Sequence, residues 1–147
     1  MRYSIVIPTY NHCEDLLKPC LESIFKYTDM ADVELVISAN GCTDGTQAYL
    51  QELSTRFASI GFDKHIKIIW NGQPLGYSGA CNAGIVVTRT DRIVLLNNDT
   101  VLLPQNKNQW LDMLNQPFAH HEKCGISCVI KVYQALAEFQ ATQALMA

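Results

Sequence analysis

Short apolar runs alternate along this chain with longer stretches of helical period, and the runs end in turn-forming residues. Residues 3–7 (YSIVI) stop at Pro8. Residues 33–38 lead to Asn40 and Gly41, residues 65–70 to Asn71 and Gly72, and residues 92–96 to Asn97, Asn98 and Asp99. Residues 125–132 read as a fifth run. Runs this short, closed by Pro, Gly and Asn, read as strands, and their near-continuous apolarity argues for burial on both faces.

Between the runs the apolar spacing turns helical. Residues 16–27 set Leu17, Leu21, Ile24 and Phe25 on one face, with Pro19 in the first turn, where its missing N–H costs little. Residues 46–58 do the same with Ala48, Tyr49, Leu53 and Phe57, and Thr43 or Asp44 is the expected cap. Residues 78–87 form a small-residue helix (Gly79, Ala80, Ala83, Gly84) suited to lying close on a sheet. A short helix is expected over residues 108–114, before Pro117, and a weakly amphipathic one over residues 133–147. This alternation predicts a three-layer α/β fold with a mostly parallel sheet, in one domain over residues 1–147. Ligands of such sheets bind beyond the carboxyl ends of the strands.

Composition narrows the partners. Apolar residues make up 48% of the chain and charged residues 17%, an ordinary globular balance. A net charge of -3 gives no electrostatic footprint for nucleic acid, so a phosphate ligand must be met locally. No stretch approaches the roughly 18 apolar residues of a membrane span, and the first apolar run is too short for a signal peptide. The six cysteines include no C-x-x-C pair and no zinc-like spacing with His. They read as free thiols in a reducing compartment, which points to the cytoplasm, with peripheral attachment to a membrane left open.

Polar and glycine residues collect after each strand: Thr9, Tyr10 and Asn11; Asn40 to Asp44; Asn71, Gly72 and Gly76; Asn97, Asn98 and Asp99. In a parallel sheet all of these fall on one edge, as a ligand cleft would require. Asp99 reads either as a turn aspartate bonded to nearby N–H groups or as a ligand for a divalent cation that bridges diphosphate oxygens. The segment PLGYSGACNAG (residues 74–84) is neither a P-loop nor a G-x-G-x-x-G motif. It serves either tight helix–sheet packing or close approach of backbone to an anion at a helix N-terminus.

Together these pieces resemble the family 2 glycosyltransferases. SIVIPTYN (residues 4–11) is similar to the opening strand and turn of that family. NGCTDGT (40–46) resembles its second loop, NGQPLGYSGACNAGI (71–85) its N-x-G-x-x-x-N-x-G segment, and IVLLNNDT (93–100) its strand ending in a D-x-D variant. The resemblance implies a Rossmann-like GT-A fold, cut short at the C-terminus, that binds a nucleotide-diphosphate sugar donor and a divalent cation, Mn²⁺ or Mg²⁺. It implies sugar transfer to an acceptor hydroxyl, with inversion, in cell-surface polysaccharide biosynthesis; the acceptor would be a glycan or a lipid-linked sugar. By the same resemblance Thr9, Tyr10 and Asn11 line the base and ribose. Ala39 and Asn40 belong to the base pocket, Gly76, Gly79 and Asn82 lie at the helix start near the donor, Asn98 and Asp99 sit at the ribose and diphosphate, and Asp99 holds the metal.

The chain departs from the family at Ala39, where an acidic residue usually meets the base; that task falls to Asn40 or to backbone. No general base matches a family motif, since Glu122 and Glu138 sit in none, and His120 and His121 lie too early for a further metal ligand. An incomplete sheet would expose apolar surface, so self-association is expected. Two readings follow: a glycosyltransferase seen through its donor-binding half, or a non-catalytic domain that binds a nucleotide sugar or a partner. A nucleotidyltransferase would need a basic, glycine-rich loop after the first strand, and PTYNHCED offers neither feature.

Overall fold

The structure, a computed structural model, describes residues 1–128 and divides into two units, one over Met1–Lys107 and one from Asn108 onward. The first unit is a parallel sheet with flanking helices. Its elements are β1 (Tyr3–Thr9), α1 (Lys18–Tyr27), β2 (Val33–Asn40), α2 (Thr46–Ser59), β3 (Ile66–Asn71), α3 (Gly76–Ile85) and β4 (Ile93–Leu95). The strands lie in the order β3-β2-β1-β4, all parallel. Every residue of β1 and β2 is buried, because each has a strand on both sides. The edge strands β3 and β4 are only partly covered, which leaves Trp70, Ile93 and Leu95 exposed.

Side chains alternate between the two faces of a strand. Val6 and Val36, paired in register, face α3, where a Cβ built on Gly84 would lie 2.4 Å from Val6 Cγ1. The other face carries Ile5, Ile7, Leu35 and Ile37, all fully buried. Right-handed crossovers place α1 and α2 on that second face. The rings of Phe25 and Phe57, 5.6 Å apart, join these two helices. Each aliphatic side chain buried this way contributes about 1.5–3 kcal/mol.

Several boundaries differ from the sequence expectations, each for a local reason. β1 runs through Pro8 to Thr9. Ser4 N–H and Val6 C=O both bond towards β4, so the missing Pro8 N–H also faces β4, beyond the last ladder pair of Val6 with Leu95. Pro8 therefore ends the pairing with β4 and leaves the bonds to β2 intact. A π-helical turn over Cys13–Leu17 precedes α1, with Pro19 in the first turn of the α-helix as expected. The buried stripe of α2 is Thr46, Leu50, Leu53 and Phe57, while Ala48 is exposed and Tyr49 half-buried. In the second unit, α4 (Gln109–His120) does not stop before Pro117 but includes it. A proline removes one N–H, and His121 N–H still bonds to Pro117 C=O at 3.0 Å. Residues 125–128 form no strand, and the rest of that expected strand, the expected helix over 133–147 and Glu138 lie outside the described residues.

Glu34 went unnoticed in the sequence. It sits fully buried in β2 and holds the amino-terminal end of the sheet. Its carboxylate accepts from Ser4 Oγ (2.8 Å), Arg89 N–H (2.9 Å) and Arg89 Nε (2.7 Å), and Lys67 Nζ lies 3.6 Å away. Burial would raise this carboxyl, but the Arg89 N–H, the Ser4 hydroxyl and the Arg89 guanidinium outweigh it and hold the group below its usual range.

Candidate functional site

β1 and β4 are neighbours whose connections run to opposite faces, which is the switch point where open α/β sheets bind ligands. Past Thr9 the chain turns sharply. Asn11 and His12 both take left-handed backbone, with φ of 54° and 57°. Asn11 Oδ1 accepts from Thr43 N–H at 2.7 Å, and Cys42 Sγ accepts from Asn11 N–H at 3.4 Å and donates to Thr9 C=O at 3.5 Å. Asp44 completes the lacing: Oδ2 accepts from Cys13 N–H (3.0 Å), and Oδ1 accepts from Thr46 N–H (3.1 Å) and Thr46 Oγ1 (2.5 Å). Burial opposes ionisation of Asp44, but the Thr46 hydroxyl and the two N–H groups hold its carboxyl below the usual range. Of the two expected caps, Asp44 bonds the first N–H of α2, from one position before Gly45, the residue that directly precedes the helix.

The loop after β2 is tied to the loop before α3. Asn40 Oδ1 accepts from Leu75 N–H (2.8 Å), and its Nδ2 donates to Gly76 C=O (3.3 Å). Gly41 has φ 74°, and any Cβ there would fall 2.6 Å from Pro74, so only glycine fits this turn. Gly76, with φ 71°, begins α3 and leaves open space where a Cβ would be.

The third wall is the turn after β4. Leu96 N–H extends the pairing to Val6 C=O at 2.9 Å, and Thr100 N–H then closes a turn on Asn97 C=O at 3.2 Å, with Asn98 and Asp99 at its tip. Asn98 Nδ2 donates to Thr9 Oγ1 across the switch point (3.0 Å). Tyr77 Oη donates to Asn97 Oδ1 (3.0 Å), and the Cys20 thiol beneath reaches Asn97 C=O at 3.7 Å. Burial, together with the charge of Asp99, pushes that thiol up to about 12, so it stays protonated and inert.

These three walls enclose a cleft of about 460 Å³. Of the expected site residues it is lined by Thr9, Tyr10, Asn40, Gly76, Asn98 and Asp99, and among the described residues Asp99 is the only carboxylate in its lining. The other four stand apart from the lining. The Asn11 side chain is a strut to Thr43, and Ala39 is buried at the end of β2. Gly79 packs against Leu75, whose Cβ would be 2.7 Å from an added Cβ, and Asn82 is exposed in the second turn of α3. Asn40 lines the cleft, but both ends of its amide already serve the α3 loop. Sequence reasoning missed Tyr77 and His12 as lining residues, and it placed Asn97 at the cleft edge without giving it a role. An aromatic between Gly76 and Gly79 was a readable sign of Tyr77; nothing in the sequence marked His12.

The fold is shared with solved glycosyltransferases. The chain superposes on S. aureus TarS in complex with UDP-GlcNAc with a TM-score of 0.63 and 20% identity, covering 82% of this chain and 32% of that one. It superposes on mannosyltransferase PcManGT from Pyrobaculum calidifontis, in complex with GDP-Man and Mn²⁺, with a TM-score of 0.59 and 21% identity, covering 70% and 29%. Among curated proteins it is 26% identical over 120 residues to a Campylobacter jejuni GalNAc(5)-diNAcBac-PP-undecaprenol beta-1,3-glucosyltransferase, covering 81% of this chain. It is 26% identical over 127 residues to the uncharacterized protein y4gI of Sinorhizobium fredii, covering 86%. The chain spans 36% and 12% of the length of these two relatives. The family described as Glycosyl transferase family 2 matches residues 4–135, and with its fold and strand-end motifs in place the chain belongs to that family.

Proposed function

We propose that this chain forms the donor side of a glycosyltransferase, binding a nucleotide-diphosphate sugar whose sugar passes to an acceptor hydroxyl with inversion and with help from Mn²⁺ or Mg²⁺. One observation carries the reading: the Asn97–Thr100 turn sets Asp99 in a single cleft with Thr9, Tyr10 and the start of α3. Thr9 and Tyr10 would meet the base and ribose, and Asn98 and Asp99 the ribose and diphosphate. The N-terminus of α3 favours the negative diphosphate, and Gly76 lets backbone approach it. The sugar-bound neighbours support the same assignment, and the lipid-linked acceptor in the name of the C. jejuni relative suggests a glycan or lipid-linked acceptor.

The donor set suits a cation that arrives with its ligand. No group of three His, Cys, Asp or Glu side chains suited to a metal stands together among the described residues, and Asp99 is exposed. One carboxylate can hold Mn²⁺ or Mg²⁺ when diphosphate and water complete the octahedron. Such an ion, when bound, stabilises charge on the departing diphosphate.

Calorimetric titration with UDP, GDP and dTDP, each with and without Mn²⁺, tests the reading. We expect weak binding of at least one, strengthened by Mn²⁺. Asp99→Ala should lower the Mn²⁺-dependent affinity about tenfold or more, the scale of one charge-assisted contact. Binding of none of the three would refute the donor site. A second reading, a nucleotide-sugar-binding domain without catalysis, is favoured by Asp99 being the only carboxylate among the described residues lining the cleft, with no second one among them to take the acceptor proton. Turnover by the isolated chain would exclude it.

A further inference from the structure

We infer that Tyr77 is the positioning residue of the donor site, holding the Asp99 turn in place through Asn97. The inference rests on the donor reading above. Tyr77 stands in the first turn of α3, directly after Gly76, and its side chain is 60% exposed. An aromatic left so open would ordinarily be free to rotate. This one spans from α3 to the β4 turn and donates its hydroxyl to Asn97 Oδ1 at 3.0 Å. Asn97 is the first residue of that turn and its closing acceptor, since Thr100 N–H bonds to its C=O.

Desolvation raises the Tyr77 phenol above its ordinary value, so the hydroxyl stays a donor through the neutral range. Asn97 takes three of the turn's contacts: Tyr77 on its side chain, Thr100 and Cys20 on its carbonyl. Of these, Tyr77 is the one that comes from the far side of the cleft. Without it the Asn97 side chain is unsupported, and Asp99 samples orientations that do not meet the diphosphate and its ion. Asn98, anchored to Thr9, would keep the turn in the cleft, so the loss should fall on aim rather than on folding.

The test uses Tyr77→Phe, which removes only the hydroxyl, and Asn97→Ala, which removes its acceptor. UDP affinity of the full chain is measured calorimetrically with and without Mn²⁺, and the melting temperature of each variant is recorded. Each variant should weaken UDP binding in Mn²⁺ about two- to tenfold, the worth of one hydrogen bond. Binding without Mn²⁺ should change less than about twofold. The double variant should be no worse than the single ones, because both act through one contact. Equal losses with and without Mn²⁺, additive losses, or no loss would overturn the inference while leaving the donor site standing. Failure of the wild type to bind any nucleoside diphosphate would remove the donor reading and this inference with it.

Discussion

Gly84→Ala should destabilise the protein, although alanine is the better helix former. In an open helix the exchange gains about 0.8–1.0 kcal/mol. Here the added Cβ would stand 2.4 Å from Val6 Cγ1 and 3.8 Å from Val36 Cγ1. Both valines are fully buried in the two central strands, and a β-branched side chain has no low-energy rotamer to spare. Helix α3 must lift or β1 must yield, and overpacking of this kind costs about 1–3 kcal/mol. Gly84 is also the next-to-last residue of α3, where the gain from helix propensity is smaller. The net expectation is a loss of about 1–2 kcal/mol, read in urea as a fall of about 0.5–1 M in the unfolding midpoint with an unchanged slope. Val6→Ala in the same background removes the opposing methyls, so the double variant should be less destabilised than the sum of the two single ones. A Gly84→Ala protein as stable as the wild type, or more stable, would show that α3 does not press on the sheet at this point.

Two other predictions concern the charges that hold the loops. Glu34→Gln should lower stability at pH 7 by about 1–3 kcal/mol, because hydrogen bonds to a charged acceptor are lost while Arg89, part-exposed, can re-hydrate. The folded carboxyl titrates below its ordinary value of 4.5, so its contribution is complete above pH 4.5 and fades as pH falls through the lower folded value. The gap between wild type and variant should therefore narrow from pH 7 to pH 3 in urea titrations, and a constant gap would count against the ion pair. Asp44→Ala should cost about 1–2 kcal/mol, as for a lost helix cap, and Asp44→Asn should cost less because one acceptor oxygen remains. Equal losses from the two would show that the cap is not what Asp44 supplies.

The architecture was legible because its signals are local. Gly41 and Gly72 follow strands whose apolar character comes from burial on both faces, and the alternation of strands and helices implies a parallel sheet; the strand order itself was not readable. Thr9, Tyr10, Gly76, Asn98 and Asp99 could be placed at the cleft because strand ends in a parallel sheet share one edge. Asn11 and Asn40 were harder. An amide after a strand looks the same whether it faces a ligand or ties two loops together, and its partners, Thr43 and Leu75, lie 32 and 35 residues away. Glu34 was hidden for the opposite reason: a lone acid in an apolar run gives no hint that Arg89, 55 residues on, will meet it.

Those distances also explain how Asp99 is held. β4 makes only three ladder pairs with β1 and sits at the edge of the sheet, too short to fix the residues beyond it. The turn is held by side chains from β1, α1 and α3: Thr9 on Asn98, and Cys20 and Tyr77 on Asn97, separated from them by 89, 77 and 20 residues. Each tether closes a long loop, and that entropy is already spent once the sheet and helices have assembled. A carboxylate on a free loop would lose its own conformational entropy on meeting a ligand; here much of that ordering is already complete. The precision of the site is thus a consequence of strand order, which brings the ends of β1 and β4 together and lets α3 reach across to them.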